Sequence, residues 1–155
     1  MVTAYFLDSS ALLKRYVPEI GTAWIQSLTL QSNQNLLIVA RITWVEVQSA
    51  LARRQREGSL STNHANQILQ AFRYHFDTQY QKVELLPIVT QLAGQLVSRH
   101  PLRAYDAVQL ASALCIWSQL SQGNNITLKF LTADDRLLKV AQAENLICDN
   151  PNHHP

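Results

Sequence analysis

The stretch VTAYFLD, residues 2–8, decides the fold. It is rich in β-branched and aromatic residues and ends on an aspartate, followed by Ser9 and Ser10. Such a run is a buried strand closing in a polar turn. Ser9 or Ser10 then caps a short helix, ALLKRYV, which Pro18 stops. A second helix is expected from Gly21 to about Gln31, and the apolar run NLLIVA (35–40) is a second strand.

Further along, Trp44, Val47 and Leu51 share one face of a helix from Thr43 to about Glu57, which Gly58 ends. After a cap at Ser61 or Thr62, Ala65, Ile68, Leu69, Phe72 and Phe76 recur at helical spacing to about Tyr80. Lys82 to Leu86 is a strand, and Pro87 sits at a helix start. A helix from Arg103 to Gln122 carries Ala107, Leu110, Ala111, Leu114 and Trp117 on its apolar face. Residues 123–125 form a loop, LKFLT (128–132) a strand, Asp135 to Glu144 a helix, and LIC (146–148) a last strand. Strands thus alternate with helices and are mostly continuous apolar runs. That pattern is an α/β fold, a three-layer α/β/α sandwich with a central, mostly parallel sheet. One domain is expected over 1–149, with a disordered tail at 150–155.

Composition agrees. The 155 residues suffice for one core without staples. Only 15% are charged, against about 25% in ordinary proteins. Fifteen Gln and nine Asn supply the missing polarity, so neither a disordered charged tail nor a coiled coil fits. Cys115 and Cys148 are too few for a disulfide framework or a zinc site. No run reaches the roughly 18 apolar residues of a membrane span, and the first residues lack a signal-peptide pattern. No membrane contact and a cytoplasmic location are the expectation. The net charge of +2 permits a nucleic-acid partner without requiring one.

The eleven acidic residues are placed unevenly. Asp8 ends the first strand, and Asp134 and Asp135 follow LKFLT. Ligands of open parallel sheets bind at that carboxyl edge. Glu46 and Asp106 lie in helices among apolar neighbours. Two like charges about 4 Å apart repel by about 4 kcal/mol at an effective dielectric near 20. Such a cluster is tolerated around a cation or a shared proton. Oxygen ligands suit Mg²⁺ or Mn²⁺, which commonly act on phosphates. Each acid also has an ordinary role open to it: Asp8 and Asp135 as helix caps, Asp134 as a turn residue, Glu46 as partner of Arg53 or Arg54, and Asp106 as a first-turn residue. The five histidines, His64, His75, His100, His153 and His154, are expected to be solvated.

Three stretches resemble the PIN-domain ribonucleases, in particular the VapC-type toxins of bacterial toxin–antitoxin pairs. These are YFLDSSALLKRYVPEIGTAW (5–24), LRAYDAVQLASAL (102–114) and FLTADDRLLKVAQAENL (130–146), with Glu46 in ITWVEVQSALARR (42–54) at the family's helical glutamate. The resemblance implies a PIN-like fold and a metal-dependent endoribonuclease. It implies that Asp8, Glu46, Asp106 and Asp134 are the catalytic acids holding Mg²⁺ or Mn²⁺. Ser10, Thr132 and Asp135 would stand behind them, with Asp135 capping the next helix. Lys14, Arg15, Arg103 and Arg136 flank the acidic motifs and would contact RNA phosphates, while Arg53, Arg54 and Arg56 form a cluster that would equally suit an acidic partner. A structured RNA with a single-stranded loop is the expected substrate. A small antitoxin and a second copy of the chain are the expected partners, with the aromatics Trp44, Phe72, Tyr74 and Phe76 as a contact region. An RNA-processing PIN nuclease outside such pairs, or a non-catalytic PIN-fold binding module, are the alternatives. A phosphatase of the haloacid-dehalogenase type would need a second aspartate where Ser10 stands. A response-regulator receiver would need its acidic pair before the strand-end aspartate, not after it.

Overall fold

The structure is a computed structural model that describes residues 2–123 and 125–155. The loop expected at 123–125 includes Asn124, which lies outside the described residues, as does Met1. Five strands, β1 (Val2–Leu7), β2 (Leu36–Ala40), β3 (Gln81–Val83), β4 (Ile126–Leu131) and β5 (Ile147–Asp149), form one parallel sheet in the order β3-β2-β1-β4-β5. The helices are α1 (Ser9–Leu13), α2 (Thr22–Leu28), α3 (Thr43–Arg56), α4 (Thr62–Thr78), α5 (Pro87–Arg99), α6 (Ala104–Leu120) and α7 (Asp135–Ala143). This is the α/β/α sandwich the alternating apolar runs predict.

Strand periodicity divides the core. Ala4, Phe6, Ile38, Ala40, Leu128 and Phe130 point to one face and pack with α5, α6 and α7. Leu7, Leu37, Val39 and Leu131 point to the other and pack with α1 to α4. Successive strand residues alternate faces, so both faces must be apolar, and the strands read as unbroken apolar runs. The aromatics of α3 and α4 belong to this second core: Phe72 and Phe76 are buried, and Trp44 stacks on Phe72 with ring centroids 5.4 Å apart. Of the contact region expected there, Tyr74 is exposed.

The chain moves outward from β1 to β2 and β3, then returns to β4 on the other side of β1. The direction of winding therefore reverses between β1 and β4, and the crevice at the carboxyl end of that pair is where such sheets bind ligands. Their register aligns Leu7 with Leu131, and Asp8 N–H donates to the Leu131 carbonyl at 3.1 Å. Asp8 and Thr132 consequently leave the sheet side by side.

The expectation of a disordered tail is corrected. Residues 151–153 form a short 3-10 turn, with Asn150 and Pro151 buried. Asn150 Nδ2 donates to Asp135 Oδ1 at 2.8 Å. The His154 ring stacks on Trp24 at 3.9 Å, nearly parallel, and its Nε2 lies 3.0 Å from both Asp149 oxygens. The polar composition conceals this because every partner except Asp149 is distant in sequence. His154 is therefore not a solvated residue. Nor is His75, whose ring nitrogens meet Tyr16 Oη at 2.8 Å and Arg15 at 3.3 Å.

Candidate active site

Asp8 is 4% exposed. Its Oδ1 accepts from Ala11 N–H at 2.9 Å and from Ser10 Oγ at 2.7 Å. Asp8 itself, not Ser9 or Ser10, is thus the N-cap of α1. The serines are released for other work. Ser10 Oγ also accepts from Ala133 N–H at 2.9 Å, joining the β1 and β4 ends, and lies 3.4 Å from Thr132 Oγ1. Burial pushes the Asp8 carboxyl up to about 6; hydrogen bonds from Thr132, Ser10 and Ala11 oppose this, and the Glu46 charge adds to it.

Glu46, in the first turn of α3, is half-buried and held at both oxygens. Ser9 Oγ donates to Oε2 at 2.8 Å, and Gln109 Nε2 donates to Oε1 at 2.7 Å. Neither Arg53 nor Arg54 pairs with it. Its pKa is raised by burial and by Asp106, while the Gln109 and Ser9 bonds act the other way. Asp106, in the first turn of α6, accepts no hydrogen bond among the described residues. Burial raises its pKa, Asp134 raises it further, and Arg103 lowers it.

Asp134 is exposed, and its Oδ1 accepts from Arg136 N–H at 2.8 Å and Leu137 N–H at 3.4 Å. It is therefore Asp134 that caps α7, correcting the expectation for Asp135, which turns to Asn150. Thr132 is buried, and its Oγ1 accepts from Asp134 N–H at 3.1 Å.

Four segments thus bring their acids into one neighbourhood, coupled in sequence from Asp8 to Glu46 to Asp106 to Asp134. The donors are all carboxylate oxygens, which fits a hard divalent ion. Among the described residues, no three acidic, imidazole or thiol groups are already gathered within reach of a single ion.

A cleft of about 540 Å³ is lined by two of these acids, Glu46 and Asp106, together with Arg53 and Arg103 and with Ser9 and Ala133, the neighbours of Asp8 and Asp134. The basic residues expected around it separate into two groups. Lys14 is buried with Nζ 3.0 Å from Glu19, and Arg54 binds the same carboxylate at 2.7 Å. Arg15 donates to Gln79 and Tyr80 and lines a separate cavity of about 530 Å³. Arg103 and Arg136 are exposed.

Sequence reasoning missed Gln109. It is 1% exposed in α6, and its Nε2 also donates to Thr43 Oγ1 at 2.9 Å. Its only sequence signal is an amide within an apolar helical run, three residues after Asp106.

A parallel α/β/α sheet with acids meeting at its winding reversal defines a PIN-like protein. No family model matches the sequence. The chain is 33% identical over 116 residues to Ribonuclease VapC45 of Mycobacterium tuberculosis (strain CDC 1551 / Oshkosh), covering 75% of this chain and 78% of that protein. Ribonuclease VapC49 of strain ATCC 25618 / H37Rv gives the same values. Among solved structures, the fold is similar to VapBC2 from Rickettsia felis bound to a promoter DNA fragment (TM-score 0.64, 14% identity, 95% of this chain and 98% of that one). It is also similar to FitAcB from Neisseria gonorrhoeae (TM-score 0.62, 17% identity, 96% and 99%). The chain belongs to the VapC ribonuclease family.

Proposed function

We propose that this protein is an endoribonuclease that hydrolyses RNA phosphodiester bonds with the help of Mg²⁺ or Mn²⁺, and that it is the toxin of a toxin–antitoxin pair. The observation that carries the reading is that Asp8 and Asp134 follow β1 and β4, while Glu46 and Asp106, in the first turns of α3 and α6, line one cleft next to them, in a member of the VapC family. A divalent ion held among these acids would neutralise phosphate oxygens and acidify the attacking water. Ser10 and the Ala11 amide fix Asp8 in one orientation. Ser9 and Gln109 do the same for Glu46. Asp106 lines the cleft and accepts no hydrogen bond among the described residues. Arg103 and Arg136 are placed for phosphates, which set affinity rather than sequence choice.

The solved structures of similar fold include VapBC2 from Rickettsia felis and a toxin–antitoxin complex from Klebsiella pneumoniae, which supports a small antitoxin as partner. A second copy of the chain is the other partner we propose, on the family resemblance. Among the described residues no helix is long and apolar enough to cross a membrane.

Induced expression in bacteria, with total RNA mapped for new 5′ ends, tests the reading. Wild type should give discrete new ends and arrest growth, while Asp8→Ala and Asp106→Asn should give neither at equal soluble yield. New ends from either variant at the wild-type rate would overturn it. Light scattering of the purified protein tests the dimer.

A further inference from the structure

Two large apolar side chains stand uncovered at the mouth of the acidic cleft. Tyr105, immediately before Asp106, is 61% exposed, and Val45, immediately before Glu46, is 62% exposed. Both line the cleft that Glu46 and Asp106 line. Arg53 and Arg103 share this lining, and among the described residues neither makes an ion pair. Arg54, by contrast, is committed to Glu19. The cleft therefore has an acidic floor and a rim that is cationic and aromatic.

That rim matches one kind of ligand. Free guanidinium groups favour a polyanion, and a solvated ring beside them offers a flat apolar face that gains by being covered. A nucleic-acid strand supplies both complements one nucleotide apart, phosphate and base. A base in a duplex has no free face to give, so the strand must be unpaired.

We propose that Tyr105 is a stacking platform for one unpaired base of single-stranded RNA next to the scissile phosphate, with Arg53 and Arg103 on the flanking phosphates. The proposal rests on the ribonuclease reading and gives its substrate a form: an exposed, unpaired nucleotide, chosen by its accessible face. Every base has such a face, so Tyr105 contributes selectivity for single strands and little for sequence.

Steady-state cleavage of a short single-stranded RNA in Mn²⁺, by wild type, Tyr105→Ala, Tyr105→Phe and Tyr105→Trp, tests this. Tyr105→Ala should raise KM about tenfold or more, as loss of one base–aromatic stack does, with kcat within about twofold. Phe and Trp should restore KM, because the ring and not the hydroxyl acts. Independently, 2-aminopurine placed at each position of the same RNA should be quenched by wild type at one position in EDTA, where no cutting occurs, and not by Tyr105→Ala. A wild-type KM and undiminished quenching in Tyr105→Ala would overturn the proposal, as would a Phe variant as impaired as Ala. Wild type that cuts no RNA in Mg²⁺ or Mn²⁺ yet shows Tyr105-dependent quenching would overturn the nuclease reading and leave the stacking platform standing.

Discussion

Gln109 Nε2 lies 2.7 Å from Glu46 Oε1, joining helices α6 and α3 beneath the acidic cleft. The same nitrogen donates to Thr43 Oγ1, while Gln109 Oε1 is buried without a partner among the described residues. Reversing the amide would set that oxygen against the carboxylate, so the bond to Glu46 fixes the orientation at the expense of an unsatisfied acceptor. An unmade hydrogen bond of this kind costs about 1–3 kcal/mol. Positioning Glu46 is what this arrangement achieves. Gln109→Leu should lower Mn²⁺ affinity by about 10–100-fold, the range found when groups behind metal ligands are removed. Gln109→Glu should not preserve the affinity either, since a carboxylate there has no N–H to donate and repels Glu46 from its position. Electron paramagnetic resonance titration of Mn²⁺ checks this directly, and an unchanged affinity in both variants would contradict it.

Asp8 and His75 should give the protein opposing pH dependences. The Asp8 carboxyl is pushed from its ordinary 3.8 to about 6, chiefly by burial. Between those values the folded state keeps a proton that the unfolded state has lost, so stability falls as pH rises from about 4 to 6, by roughly 3 kcal/mol in all, and is flat above. His75 is pushed from 6.5 down to about 4, by burial and then by Arg15. There the unfolded state holds the extra proton, so stability rises with pH over about 4 to 6.5. Asp8→Asn should therefore gain on wild type as pH rises through this window, and His75→Gln should lose. Asparagine can still accept from the Ala11 amide, so the cap survives. Urea denaturation at closely spaced pH values measures both slopes, and parallel curves for the three proteins would refute the assignment. Mn²⁺ added near pH 7 should stabilise wild type more than Asp8→Asn, because the ion binds the ionised carboxylate.

Which features were legible follows from what sequence patterns encode. Apolar runs report burial on both faces, so β1, β2 and β4 and the layer order were readable. The acids were readable because Asp8 and the Asp134–Asp135 pair follow strands. Partners were not. Lys14 looks like a surface base beside Asp8, yet it is buried because Glu19 lies where the chain turns after α1. The caps were misplaced by one residue at Ser9 and at Asp135, because a run of adjacent capping residues leaves the backbone to choose among them. Gln109 and the tail depend on contacts with residues far along the chain, and no local period records those.

The basic residues should separate by role. Arg103→Ala should weaken RNA binding and reduce the salt dependence of log affinity by about one phosphate contact. Lys14→Met should leave that salt slope unchanged, because its ammonium is already spent on Glu19. Removing Lys14 leaves Glu19 paired with Arg54, so the stability cost should be modest. Removing Glu19 strands a buried ammonium, and Glu19→Gln should be the more destabilising of the two. Fluorescence anisotropy of labelled RNA across a salt series, with thermal melts alongside, resolves these effects. An equal loss of salt slope in Lys14→Met and Arg103→Ala would show that burial of Lys14 does not hold in solution.

Gly21 and the C-terminal segment should be energetically coupled. Gly21 has φ +87°, and a Cβ there would sit 2.3 Å from the Pro151 carbonyl oxygen. Gly21→Ala thus meets two penalties. The left-handed backbone costs an alanine about 1–2 kcal/mol. The clash displaces Pro151, and with it the stacking of His154 on Trp24, worth about 0.5–1.5 kcal/mol. In a chain lacking residues 151–155 the second penalty vanishes, because nothing remains to clash. Gly21→Ala should therefore cost less in the shortened chain than in the full one, with the backbone part surviving in both. His154→Ala should in addition alter Trp24 fluorescence without affecting RNA cutting, since the contact lies outside the cleft. Equal costs of Gly21→Ala in the two backgrounds would show that the segment is not packed against α2.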